Sequence, residues 1–115
     1  MHLHFDCVFY YVADLDAAIA FYRDILGFPF RSRDAVARFD LDGVAFELVP
    51  AEDRSRLTGT GNGRLTLRVD DLEETLSELR RKGVATGGIH VKDNGRLASL
   101  FDPDGNEMTL WEYRR

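Results

Sequence analysis

The sequence lacks the cysteines, the long apolar run and the leader segment that would place it outside the cytoplasm or in a membrane. Its single cysteine, Cys7, permits no internal disulfide and no CxxC-type metal site, which suits a reducing compartment. The longest apolar run, Val8 to Ala13, is far shorter than the roughly 20 residues that cross a bilayer. The first residues lack the basic and apolar segments of a secretion signal. We therefore expect a soluble cytoplasmic protein that does not associate with membranes.

Positive charge is also scarce. The 15 lysines and arginines are outnumbered by 20 acidic residues, which gives a net charge of −5. The basic residues are scattered among acids, so no basic patch attracts a nucleic acid or an anionic membrane. With 115 residues, 44% of them hydrophobic, the chain is long enough to bury one core. We expect one domain over residues 1–115.

An internal repeat organises that domain. Val12, Asp14 and Leu15 recur as Val69, Asp71 and Leu72, each at an offset of 57 residues, which is half of the chain. Repetition at this period indicates one supersecondary unit used twice. We divide the chain into module one (1–50), a linker (51–63) and module two (64–115).

In module one, aromatic and β-branched residues predict a strand over 3–12 that is buried on both faces. A helix capped by Asp14 or Asp16 follows and ends at Gly27, with the apolar stripe Leu15, Ala18, Ile19, Tyr22 and Leu26. Three strand-like runs fill residues 28–50, with a two-residue hairpin at Asp42-Gly43.

Module two repeats this order. Arg64 to Val69 alternates as a half-exposed strand, and Asp70 with Glu73 forms a capping pair for a helix that ends at Gly83. That helix should point Leu72, Leu76 and Leu79 inward. Three more runs follow, with turns at Asn94-Gly95 and at Pro103-Asp104-Gly105. Both modules therefore read as βαβββ units.

Two segments carry a family resemblance. Val12-x-Asp14 with Phe21-Tyr22-x-x-x-Leu26-Gly27-Phe28 resembles the opening module of the vicinal oxygen chelate superfamily, which includes glyoxalases, extradiol dioxygenases and bleomycin-resistance proteins. Residues 101–110, FDPDGNEMTL, resemble its final hairpin. The resemblance implies an α+β fold in which two tandem βαβββ modules form a cupped mixed sheet with the helices outside. It also implies a homodimer, since small members often pair, some with exchanged modules. The superfamily includes metal enzymes and metal-free binding proteins, so the fold alone does not decide the function.

The resemblance also points to four positions that hold the metal in metal-using members. They are the residue seven before each helix-opening aspartate and one residue in each last strand. Here these positions hold Cys7, Glu47, Arg64 and Thr109.

Such a set is a poor metal site. Divalent metals need three or four imidazole, carboxylate or thiolate donors, and Thr109 offers a neutral hydroxyl. Arg64 keeps its proton, and two unit charges about 4 Å apart repel by roughly 4 kcal/mol at an effective dielectric of about 20. We expect no metal and no cofactor, with the Arg64 guanidinium in the vacated position paired with Glu47. The alternative is that Arg64 points to solvent and Glu47 is merely exposed.

Strand alternation extends the candidate site. Phe9 and Tyr11 share a face with Cys7, Thr66 and Arg68 share one with Arg64, and aromatic residues follow Thr109. The predicted ligand-binding residues are Cys7, Phe9, Tyr11, Glu47, Arg64, Thr66, Arg68, Thr109, Trp111 and Tyr113. This mixture suits a flat small molecule with a negative group. The alternative is that the aromatics fill a closed core or a dimer interface.

These features favour a metal-independent small-molecule binding protein of the glyoxalase/bleomycin-resistance type that sequesters an aromatic or anionic compound. The main alternative is a lyase/isomerase or dioxygenase-like enzyme, with Glu47 as general base or with an atypical metal set. A third is an accessory dimerisation module with a filled cup. His2 and His4 share a strand face and could chelate a metal, but are expected at the surface, as is His90. The Gly59-x-Gly61-x-Gly63 run is expected to be a linker, because it does not join a strand to a helix.

Overall fold

A computed structural model describes residues 1–2, 4–57 and 64–115. The chain divides into two compact units, Met1–Thr58 and Gly59–Arg115. Unit one contains β1 (Val8–Val12), α1 (Leu15–Ile19), a π-helical segment (Ala20–Ile25), β2 (Phe30–Arg33), β3 (Ala37–Leu41), β4 (Val44–Pro50) and a short 3₁₀ turn (Arg54–Arg56). Unit two contains β5 (Leu65–Arg68), α2 (Leu72–Arg81), β6 (Ala85–Thr86), β7 (His90–Lys92), β8 (Gly95–Phe101) and β9 (Glu107–Tyr113).

The sheet of unit one has the order β1-β4-β3-β2, with β1 parallel to β4 and the other pairs antiparallel. The predicted hairpin is confirmed, because Asp42 and Gly43 join β3 to β4 with φ angles of 53° and 85°. These positive values are what a tight hairpin turn requires at both central residues. The Asp40 carboxylate accepts a hydrogen bond from the Gly43 N–H at 3.0 Å and fixes the turn.

The helix of unit one is wound differently from the regular helix that we predicted. Asp14 caps it by accepting a hydrogen bond from the Ala17 N–H. From Ala20 to Ile25 the turns widen, and the Leu26 N–H donates to the Phe21 carbonyl five residues back. A wider turn changes which side chains face inward. As a result the adjacent Phe21 and Tyr22 are both buried, and Tyr22 is fully so.

An aromatic cluster forms the core of unit one. Tyr22 lies with its ring centroid 5.2 Å from that of Phe46 and 5.5 Å from that of Phe28. Phe39 completes the cluster at 6.1 Å from Phe46. Tilted and edge-on pairs at these separations are the favourable arrangement of aromatic rings, in addition to the apolar area that they bury.

The first strand is shorter and more exposed than expected. It begins at Val8, not at residue 3, and the prediction of burial on both faces is wrong. Val12 is fully buried, whereas Phe9, on the other face, is 44% exposed. Within unit one the helix packs against a single face of the sheet, which leaves the second face of β1 uncovered.

Unit two has the sheet order β5-β9-β8-β6, and β7 also pairs with β8. It has one strand more than the three predicted after the helix, because β6 and β7 pair with different stretches of β8. The predicted turn at Asn94-Gly95 lies one residue too late, since Gly95 is already the first residue of β8. Leu72, Leu76 and Leu79 are buried as predicted.

The cap of α2 is also displaced by one residue from the prediction. Asp71, and not Asp70, caps the helix by accepting a hydrogen bond from the Glu74 N–H at 3.0 Å. Asp71 is the residue that the 57-residue repeat aligns with Asp14, so the two caps are equivalent.

The segment between β8 and β9 is held by two buried polar residues. Asp102 and Asn106 are each 5% exposed. Asp102 accepts hydrogen bonds from the Asn106 N–H and side-chain amide, each at 2.8 Å. These residues, which carried part of the family resemblance, therefore stabilise a turn.

The α+β class and the two units built on a βαβββ pattern are confirmed. The predicted cupped sheet depends on how the two units are arranged, and it stays a prediction. Of the proposed linker at 51–63, residues 58–63 lie outside the described residues, and Arg54–Arg56 form the short 3₁₀ turn. In the part of the chain that is described, no helix is long and apolar enough to span a bilayer.

Candidate functional site

Four predicted site residues lie in unit one, on or beside the uncovered sheet face. Phe9 is aligned with Glu47 in the pairing of β1 with β4, and the Phe9 and Tyr11 rings meet edge-on at 5.2 Å. Glu47 is aligned in turn with Arg38 of β3, whose Nε lies 3.7 Å from a Glu47 carboxylate oxygen. Glu47 is therefore partly neutralised within its own unit.

Cys7 precedes β1 and is half-buried. Burial raises the pKa of its thiol above the ordinary value, and the negative charges of Glu47 and Asp6 raise it further. A raised pKa keeps the sulfur protonated, which makes it a weak nucleophile and a weak metal ligand at neutral pH.

In unit two, Arg64 is held by an acid that sequence reasoning missed. Its Nη1 lies 3.1 Å from an oxygen of Glu107, the first residue of β9, whose side chain is only 11% exposed. The same oxygen accepts a hydrogen bond from the Ser99 hydroxyl at 2.6 Å. Alternation from Thr109 places Glu107 two residues earlier on the same face, and this was the signal available in the sequence.

The predicted contact between Arg64 and Glu47 would join the two units and stays a prediction. Within unit two, the Arg64 guanidinium already has a carboxylate partner, and within unit one Glu47 already has Arg38. The proposed contact would therefore have to compete with both of these pairs.

An open groove of about 390 Å³ lies on the face of unit two that is not covered by α2. Four of the predicted ligand-binding residues line it, together with one that was not predicted: Thr66, Arg68, Trp111, Tyr113 and Asn94. Thr66 and Arg68 of β5 are aligned with Thr109 and Trp111 of β9, which brings the two strands' side chains together. The Trp111 and Tyr113 rings meet edge-on at 5.7 Å.

Asn94 is not among the predicted ligand-binding residues, because the sequence places it in a turn. It does lie in the turn before β8, and the pairing of β8 with β9 carries that turn to the groove. Cys7, Phe9, Tyr11 and Glu47 lie in the other unit, and Arg64 and Thr109 are not among the described residues that line the groove.

The Trp111 indole forms one wall of the groove. It lies across the backbone of Gly95, so close that a Cβ atom at this glycine would come within 2.9 Å of the ring. The indole N–H is buried, and no described residue accepts a hydrogen bond from it. Beside the tryptophan, Arg68 has no hydrogen-bond or ion-pair partner among the described residues.

A second concavity, of about 500 Å³, lies near the start of α2. Its charged groups are largely used within the protein. Glu112 accepts hydrogen bonds from Arg96 at 2.9 Å and from the Leu72 N–H at 2.7 Å, and Arg96 also reaches Glu73 at 3.0 Å. The donors at the start of the helix thus already have a carboxylate, and we assign this region a structural role.

The residues present do not fit the metal site that the family resemblance implies. Cys7 favours its protonated form, Thr109 is a neutral hydroxyl and Arg64 is a cation held by Glu107. Among residues 1–2, 4–57 and 64–115, no cluster of three or more histidine, cysteine or acidic side chains is arranged to hold an ion. His2 and His4 are exposed before β1, and His90 is exposed on β7.

Comparison with known proteins agrees with this fold. The sequence model of the Glyoxalase/Bleomycin resistance protein/Dioxygenase superfamily matches residues 4–110. The antibiotic-binding protein TnmS3 from Streptomyces sp. CB03234 is 27% identical, with a TM-score of 0.78 over 98% of each chain. The fosfomycin resistance protein FosX from Listeria monocytogenes has a TM-score of 0.81 at 15% identity, over 99% of this chain and 96% of its own. Lactoylglutathione lyase from Agrobacterium tumefaciens has a TM-score of 0.73 at 22% identity, over 91% of this chain and 90% of its own. No curated protein matches the sequence.

Proposed function

Because the chain belongs to the glyoxalase/bleomycin resistance protein/dioxygenase superfamily, we propose that it is a metal-independent member that binds and sequesters an aromatic or anionic small molecule. The observation that carries this proposal is the groove beside Trp111. Its volume of about 390 Å³ lies within the range of small-molecule sites, and aromatic walls with a few polar groups are typical of them. The similarity to an antibiotic-binding protein points the same way.

Metal independence is supported by the chemistry of the four family positions. One of these positions holds Arg64, a cation that forms an ion pair with Glu107. Another holds Thr109, whose neutral hydroxyl is a poor metal ligand. The protein is further expected to act in the cytoplasm as a homodimer, with or without exchanged modules.

The second candidate is an enzyme of the same superfamily, a lyase/isomerase or a dioxygenase-like protein. Glu47 favours it, because this carboxylate lies on an uncovered sheet face and could take a proton from a substrate. Its contact with Arg38, at 3.7 Å, leaves the carboxylate in place for that role.

A ligand screen with a matched control tests the proposal. A ligand that binds only the folded protein raises its melting temperature, so we expect polycyclic aromatic compounds to stabilise both the purified and the chelator-treated protein. Trp111→Leu should abolish the ligand-induced shift. Phe30→Leu, which changes an exposed aromatic residue on β2 in the other unit, should retain it.

Elemental analysis separates the two candidates. About one divalent ion per chain in protein purified without chelator, together with loss of ligand binding on chelation, would contradict metal independence and favour the enzyme. If ligands still raise the melting temperature of the Trp111→Leu variant, the assignment of the groove as the binding site is contradicted.

A further inference from the structure

We propose that the groove of unit two selects an aromatic acid, with Arg68 binding the anionic group while the ring lies against Trp111 and Tyr113. This inference rests on the proposed binding function and goes further, because it names the class of ligand and the residue that anchors it. It also assigns the anchoring role to Arg68 and excludes Arg64, the arginine at the family's metal position.

The state of the arginines in unit two carries the argument. The Arg64 guanidinium lies 3.1 Å from Glu107, and Arg96 lies 2.9 Å from Glu112 and 3.0 Å from Glu73. Arg68 differs from both, because within the described part of the chain it has no acidic partner and donates no hydrogen bond. Its charge is therefore available to a ligand.

The surroundings of Arg68 indicate the sign of the ligand's charge. None of the described residues that line the groove is acidic, although the chain contains 20 acidic residues. A cationic ligand would thus find a positive charge and no negative one. An anionic ligand would find a guanidinium, which presents two parallel donors that match a planar carboxylate.

The position of Arg68 beside Trp111 indicates that the ligand also carries an aromatic ring. Its Cα atom is paired with that of Trp111 across β5 and β9, so both side chains leave the same face of the sheet. Thr66 and Asn94 add a hydroxyl and an amide at the same groove. When an anionic group binds at Arg68, a ring attached to it lies beside the Trp111 indole. A ligand that has both an anionic group and an aromatic ring can therefore contact both residues.

Arg64 is a poor anchor for the same anion. Glu107 already neutralises it, and that carboxylate is nearly buried and also bonded to Ser99. An incoming anion would meet the Glu107 charge as well as the Arg64 charge. The pairing with Glu107 thus leaves Arg68 as the anchoring residue.

Two matched probes test this inference: 2-naphthoate and its neutral isostere 2-naphthamide. Calorimetry measures the affinity of each probe, and quenching of Trp111, the single tryptophan of the chain, is expected on binding at this groove. We expect the naphthoate to bind about tenfold more tightly than the naphthamide, because a hydrogen bond to a charged group contributes more than a neutral one. Added salt should weaken the binding of the naphthoate and leave that of the naphthamide unchanged.

Arginine variants then identify the anchor. Arg68→Gln should weaken naphthoate binding by about tenfold to a hundredfold and leave the naphthamide nearly unchanged. Arg68→Lys keeps the charge without the paired donors and should give a smaller loss, and it serves as the test variant if Arg68→Gln does not fold. Arg81→Gln removes the same charge from the end of α2, outside the groove, and should change neither affinity.

The contrary outcomes are distinct. Equal affinities for the two probes, both lowered by Trp111→Leu, would overturn the acid-binding inference and leave the proposed function standing. A loss of naphthoate binding in Arg64→Gln but not in Arg68→Gln would overturn the choice of anchor. Failure of both probes to bind at their solubility limits would overturn this inference, whereas the proposed function fails only if no compound of the aromatic screen stabilises the protein.

Discussion

Arg64 lies with its guanidinium 3.1 Å from the Glu107 carboxylate, and it occupies one of the four positions that the family resemblance assigns to metal ligands. Glu107 is nearly buried, and its second contact is the Ser99 hydroxyl. The pair offsets the charge of a nearly buried carboxylate within the sheet. Unit two therefore neutralises this position with its own residues.

The first prediction concerns the strength of that pair. Because the Arg64 side chain is 43% exposed, solvent screens the interaction, and we expect Arg64→Gln to lower the free energy of unfolding by about 1 kcal/mol. Glu107→Gln in the same background should restore part of the loss, because it removes the negative charge that Arg64 no longer offsets. Chemical denaturation of the two single variants and the double variant measures the coupling. A coupling of zero would mean that the pair does not stabilise the fold.

The second prediction concerns acid stability. The hydrogen bond from Arg96, followed by that from the Leu72 N–H, lowers the pKa of Glu112 below its ordinary value. A carboxyl whose pKa is lowered by folding stabilises the protein above its unfolded-state pKa of about 4.3, and this contribution is lost as the pH falls through the lower folded-state value. We expect Glu112→Gln to be destabilised at neutral pH and to approach the wild type in acid.

Urea denaturation across a pH series checks this. Arg96→Gln removes the main cause of the lowered pKa, so its acid unfolding should begin at a higher pH than that of the wild type. A stability difference between the wild type and Glu112→Gln that does not change with pH would contradict the assignment.

The third prediction concerns Gly95. A methyl group there would lie 2.9 Å from the Trp111 ring and would also press on the Glu112 carbonyl, so the strand has to shift. We expect Gly95→Ala to lower the free energy of unfolding by about 2 kcal/mol and to change the emission of Trp111. Gly88→Ala is the matched control, since no atom lies within 4 Å of its added Cβ. Equal stabilities of the two variants would show that Trp111 does not pack on Gly95.

The fourth prediction concerns Cys7, the single cysteine of the chain. Burial, followed by the charges of Glu47 and Asp6, raises the pKa of its thiol, so little reactive thiolate exists at neutral pH. We expect slow alkylation by iodoacetamide, with a pH midpoint above that of a free cysteine. Glu47→Gln should shift the midpoint downward, and mass spectrometry of the labelled protein measures it. An unchanged midpoint would place Glu47 too far from the sulfur to influence it.

The features that local chemistry determines were predictable from the sequence. The Asp42-Gly43 hairpin depends on positive φ angles at two adjacent residues, and few dipeptides accept them. The repeat located both helices, although the Asp70 cap was assigned one residue early because Asp70 and Asp71 are adjacent and chemically identical. The widened turn at Ala20–Ile25 left no signal in the apolar spacing, which also fits a regular helix.

The candidate site was predictable as a face and not as a set of contacts. Alternation along β5 and β9 brought Thr66, Arg68, Trp111 and Tyr113 together, and these residues line one groove. The partner of Arg64 was not predictable by counting from the aspartate that opens the helix. Finding Glu107 requires the register of β5 against β9 and the inward position of the Glu107 side chain.

The repeat separates two kinds of residue that differ in how freely they can evolve. The helix caps Asp14 and Asp71 are the same in both halves, while the positions that correspond to Phe9 and Tyr11 hold Thr66 and Arg68. Substitutions on the uncovered face leave the caps and the apolar core intact. The chemistry of that face can therefore change in either half while the residues that define its helix and core are kept.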